Sequence, residues 1–186
     1  MVVKKKGMDE LSNLQEYVVL ATVSSKKYHE TNLKIIKYLT KKESTPGVYV
    51  TLNRPFNTVK KQLKEKGVDT SLIIFIDAIT KVAGATKKTK ECLFLGSPEN
   101  LSDISFSMDQ AVRSLPAKKK FVFFDSLSTL LIYNKAQTVA KFIHFLASKM
   151  RIWKVKGIII SLKKDSDKEL IDELTQFCDK VLNLGG

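Results

Sequence analysis

Phe121-Val-Phe-Phe-Asp125-Ser-Leu-Ser128 is the stretch on which the reading of this chain turns. Four consecutive large apolar residues run into an aspartate and then into small hydroxyl residues. A run this apolar suits a strand buried on both faces, as in the middle of a parallel sheet covered by helices. The carboxylate then stands at the strand's C-terminal end, where open α/β sheets place their ligand chemistry.

Other apolar runs extend the pattern in both directions. Glu16-Tyr-Val-Val-Leu-Ala-Thr22, Val48-Tyr-Val-Thr-Leu52, Leu72-Ile-Ile-Phe-Ile-Asp77, Gly157-Ile-Ile-Ile-Ser161 and Val181-Leu-Asn-Leu184 read as further strands, and Cys92-Leu-Phe-Leu95 is a short apolar piece. Amphipathic segments alternate with them. Thr31 to Lys42 places Leu33, Ile36 and Leu39 at helical spacing, and the segment after Pro55 does the same with Val59 and Leu63, up to Gly67 as its C-terminal cap. Ser105 to Leu115 predicts a helix with Phe106, Met108, Ala111 and Val112 partly buried. A long helix from about Lys135 to Arg151 carries Val139, Phe142, Ile143, Leu146 and Met150 on one side. Ser166 and Glu169 have the spacing of a capping box for a last helix. Residues 80–90 read as a mobile excursion and residues 1–12 as a flexible N-terminus. Strand and helix in alternation predict a three-layer α/β domain with a mostly parallel sheet, occupying 1–186 as one unit.

The chain has 186 residues, 44% of them hydrophobic, which suits a domain with a sizeable core. Cys92 and Cys178 are far apart and have no metal-ligand spacing, so they read as small hydrophobes in a reducing compartment. No apolar stretch follows the basic N-terminus as in a signal peptide, and none is long enough to span a membrane. The expectation is a cytoplasmic protein with no membrane partner. The formal charge is +13, and the only arginines are Arg54, Arg113 and Arg151. Lysine excess favours a solvated surface over specific base recognition, which uses the guanidinium fork, and leaves weak nonspecific nucleic-acid binding open.

Tyr17-Val-Val-Leu, Val48-Tyr-Val-Thr-Leu, Val68-Asp-Thr-Ser-Leu-Ile-Ile-Phe-Ile-Asp77, Phe123-Phe-Asp-Ser-Leu-Ser128 and Cys178-Asp-Lys-Val-Leu-Asn-Leu184 occur in an order that resembles the RecA-like P-loop ATPases of the archaeal KaiC group over essentially the whole chain. The resemblance implies a RecA-like fold, with the Asp125 strand in the place of the Walker B strand, whose aspartate holds the magnesium of a bound nucleotide. It also implies a phosphate-binding loop, G-x-x-x-x-G-K-[ST], after the first strand. With Leu33 as the first apolar position of the following helix, residues 24–31 fill that slot. Ser24 stands for the first glycine, His29 for the second and Glu30 for the lysine; Thr31 alone matches. A glutamate there repels polyphosphate, and side chains in place of glycine obstruct close backbone approach. Relatives carry adjacent glutamates after the second strand, one of which activates water; Asn53 and Arg54 occupy those positions here and supply no carboxylate base.

Ser24, His29, Glu30, Thr31 and Asp125 thus form the expected remnant of a nucleotide site, with no catalytic residue, no metal and no cofactor. His144 reads as a helix-surface histidine beside Phe142 and Phe145. Asp77 and Asp125 both end strands, most simply as cap or turn formers and alternatively as a cation-binding pair. The function expected is a noncatalytic scaffold that docks a protein partner or associates with itself, as relatives do through subunit edges. The alternatives are a vestigial nucleotide binder or slow ATPase using Thr31, Asp125, Lys26 and Lys27, and a basic nucleic-acid-binding module.

Overall fold

The computed structural model describes residues 15–84, 89–163 and 168–184. The expected flexible segment 1–12, the Ser166 half of the capping box and the middle of the 80–90 excursion lie outside the described residues.

Among the described residues, seven strands form one parallel sheet: β1 (Tyr17–Val23), β2 (Gly47–Thr51), β3 (Ile73–Asp77), β4 (Cys92–Phe94), β5 (Phe121–Asp125), β6 (Lys156–Leu162) and β7 (Lys180–Leu184). Their spatial order is β4-β3-β2-β5-β6-β1-β7. Six α-helices of the described residues accompany them: α1 (Tyr28–Lys37), α2 (Phe56–Glu65), α3 (Leu101–Ser114), α4 (Leu127–Tyr133), α5 (Ala136–Ile152) and α6 (Lys168–Thr175). The helices α1 and α2 pack on one face with Tyr17, Val19, Tyr49, Phe121 and Phe123, while α3 to α6 pack on the other with Val18, Leu20, Val48, Val122 and Phe124. Alternate residues of each strand therefore enter opposite cores, which is why the strands read as unbroken apolar runs. The chain steps from β1 through β2 to β4 in one direction along the sheet and then returns to β5, β6 and β7. Right-handed crossovers require the helices of the two directions to lie on opposite faces, as they do. The three-layer α/β expectation holds.

The end of α2 shows how local sequence sets a boundary. Gly67 takes a positive φ of 72°. Its N–H donates to the Lys64 carbonyl at 2.8 Å, and the Val68 N–H donates to the Leu63 carbonyl at 3.0 Å. That pair of bonds is a Schellman closure, and the buried Leu63 and Val68 side chains belong to the same core.

Two expectations need correction. Phe106 is 65% exposed rather than partly buried. The buried stripe of α3 runs through Ile104, Ser107, Met108, Ala111 and Val112, and Phe106 falls off it. The first helix begins at Tyr28, not Thr31, and runs into a π-helical turn at Tyr38–Lys42. Its start lies inside the segment expected to be a loop.

Candidate functional site

Register fixes the frame of the site. Thr51 at the end of β2 stands opposite Asp77 on one side and Asp125 on the other. The two aspartates are thus separated by a whole strand, about 9.6 Å at ordinary sheet spacing. Asp77 is also committed elsewhere. Its Oδ2 accepts the Phe56 N–H at 2.6 Å and its Oδ1 accepts the Ile79 and Thr80 N–H groups, each at 2.8 Å. It ties the start of α2 to the turn after β3, the cap-and-turn role. No cluster of three or more metal-ligating side chains occurs among the described residues.

Asp125 continues the alternation of Phe121 and Phe123 and points to the α1–α2 face. It is fully buried. Its Oδ2 accepts the hydroxyl of Tyr49 at 2.6 Å, and its Oδ1 accepts the hydroxyl of Tyr28. Burial pushes its carboxyl up to about 8. The Asn53 Nδ2 donates to the Tyr28 oxygen at 2.7 Å, extending the chain of bonds to the loop after β2. The hydroxyls after Ser126, the donors most easily expected from sequence, are engaged elsewhere: Ser126 Oγ lies 3.1 Å from Thr129 Oγ1, and Ser128 Oγ accepts the Leu162 N–H at 2.8 Å.

Tyr28 and Tyr49 are the residues that sequence reasoning missed. Tyr49 had a signal, since it alternates with Val48 and Val50 and so shares a face with Asp125. Tyr28 had only its bulk inside a segment expected to be a loop.

Of the eight positions 24–31, Ser25–Lys27 form a 3₁₀ turn and Tyr28 to Thr31 form the first turn of α1. No glycine is present to hold the chain in an open conformation, and the buried Tyr28 anchors the turn to the sheet. Ser24 precedes the turn and makes no side-chain cap. His29 is exposed, 5.1 Å edge-on from the Tyr28 ring, and partial burial followed by the charge of Arg54 holds its imidazole below the ordinary value. Glu30 is exposed and ion-paired with Lys34. Thr31 is half-buried and Lys26 exposed. Asp125 and Asn53 are therefore joined through Tyr28, whereas Glu30 stands apart at the surface. Arg54 lies beside Tyr49 between α1 and α2 and donates from Nη1 to Gln62 Oε1 at 2.5 Å.

His144 is exposed and stacks on Phe177 with centroids 4.2 Å apart, which is a surface packing role. Cys92 is buried and Cys178 half-buried, both as free thiols. No helix among the described residues is long and apolar enough to cross a membrane.

The architecture is similar to the crystal structure of a KaiC-like protein from the hyperthermophilic archaeon Pyrococcus horikoshii, with a TM-score of 0.59 and 17% sequence identity. The match covers 79% of this chain and 63% of that one, so the chain spans less than two thirds of that protein's length. Likeness at this identity bears on fold alone, and the fold is RecA-like, as the order of segments led us to expect. No curated protein matches the chain. The sequence profile that does match spans residues 25–184, and by it the chain belongs to DUF7504, a family of unknown function.

Proposed function

We propose that this protein is a noncatalytic RecA-like domain, a pseudo-ATPase that serves as an interaction scaffold. One observation carries the reading. Both oxygens of Asp125, the aspartate in the magnesium-holding position, are engaged by tyrosine hydroxyls in a fully buried setting. A buried carboxyl with both oxygens already engaged is poorly placed to ligate a hard dication. Two features agree with it. The segment in the phosphate-loop position is helical and carries Glu30 in place of a lysine, and Asn53 and Arg54 replace the carboxylates that would activate water.

The interaction role draws support from the opposite face. Phe106 on α3 is 65% exposed and Phe145 on α5 46% exposed. Together they line a groove of about 510 Å³ that also presents Lys141 and the Lys149–Asp109 pair. Exposed aromatics flanked by lysines suit a protein partner with an acidic rim, and the net charge of +13 favours such a partner over a second copy of this chain.

A phosphate-release assay with millimolar Mg-ATP tests the catalytic half of the proposal. Release should not exceed that of buffer. Turnover that disappears in Asp125→Asn would overturn it.

A further inference from the structure

Between α1 and α2 lies a second cavity of about 510 Å³, walled by Leu33, Val59 and Leu63 and bearing Asn32, Tyr49 and Arg54. Buried polar groups normally find partners, and here several lack them. Asn32 is 3% exposed, yet neither its Oδ1 nor its Nδ2 has a hydrogen-bond partner. The Arg54 Nε is likewise buried with no acceptor, although Gln62 takes Nη1. The Tyr49 hydroxyl lies beside both Asn32 and Arg54, but its proton goes to Asp125.

Charge points the same way. Glu30 and Glu65 at the rim are paired with Lys34 and Lys61. Arg54 forms no ion pair among the described residues. Its Nε side is the edge of the guanidinium that grips a planar carboxylate with two parallel bonds. Asn32 adds a donor and an acceptor at the same wall, and the three aliphatic residues suit an apolar body. One free guanidinium edge matches one carboxylate.

The geometry points to this cavity as a binding site for a small monocarboxylate with an apolar body, its carboxylate on Arg54 and Asn32. The cavity shares Tyr49 with the Asp125 hub and includes His29 and Glu30 of the phosphate-loop position, but carboxylate binding there needs neither nucleotide nor any given state of Asp125.

The test is an NMR titration of the isotopically labelled full chain with phenylacetate at pH 7, beside phenylacetamide and inorganic phosphate and without nucleotide. Phenylacetate should shift the Asn32 side-chain and Arg54 Nε resonances saturably. Arg54→Gln should weaken the response by at least about tenfold, the usual scale of a lost charge-assisted pair. Should that variant unfold, Arg54→Lys, which keeps the charge without the fork, serves the same purpose. Absence of saturable shifts in the wild type, equal binding of phenylacetamide or of phosphate, or binding unchanged in the Arg54 variant would each overturn the proposal. Because no nucleotide is present, these outcomes leave the pseudo-ATPase reading to its own assay.

Discussion

Asp125 is a buried hydrogen-bonding hub, and this has consequences for stability. Its carboxyl titrates near 8 in the folded protein against an ordinary value of 3.8. Between those values the folded state binds more protons than the unfolded one, so rising pH favours unfolding through this group. Its stabilising contribution is complete below about pH 4 and is lost as pH rises through 8. The Asp125→Asn change removes the titrating group at nearly unchanged shape, leaving one acceptor for the two tyrosine hydroxyls. Urea unfolding of wild type and Asp125→Asn should therefore show a stability difference that shifts in favour of the variant from pH 5 to pH 8; a pH-independent difference would refute the buried-proton account. Asp125→Ala, which strands two buried hydroxyls, should cost about 1–3 kcal/mol at pH 6.

At the scale of elements, close packing between β2 and β5 holds that hub in place. A methyl group on Gly47 would collide with the Phe121 ring. Gly47→Ala should therefore destabilise the protein by about 1–3 kcal/mol, the usual cost of overpacking, as measured by the urea midpoint at unchanged slope. An unchanged midpoint would mean that the strands can separate freely. The strands themselves are legible in the sequence because burial on both faces removes polar residues from them, as in Phe121 to Phe124. The α5 stripe from Val139 to Met150 is legible for the related reason that one face is buried throughout. Phe106 misleads because an aromatic residue within a helix suggests burial, whereas the phase of Ile104, Met108 and Ala111 excludes it. The extra turn of α1 is hidden because it rests on Tyr28 reaching Asp125, a contact across 97 positions that no local pattern encodes. The α1–α2 cavity is invisible for the same reason: Asn32 and Arg54 meet only after β2 takes its place in the sheet.

At the scale of the whole molecule, the surplus of positive charge acts mainly as a field. Most of it is lysine, distributed over many elements, and no aromatic stacking platform interrupts it in sequence. Fluorescence anisotropy with single- and double-stranded DNA should show weak association at low salt that falls steeply toward about 0.15 M and lacks sequence preference. Tight, selective binding at that salt would favour a nucleic-acid module over a protein scaffold.

The claim that the RecA-like fold is retained here without its nucleotide chemistry is tested most directly by isothermal titration of the full chain with Mg-ATP. The account predicts no saturable heat up to millimolar nucleotide, in wild type and Asp125→Asn alike. A micromolar dissociation constant that is abolished by Thr31→Ala or Asp125→Ala in folded protein would contradict it.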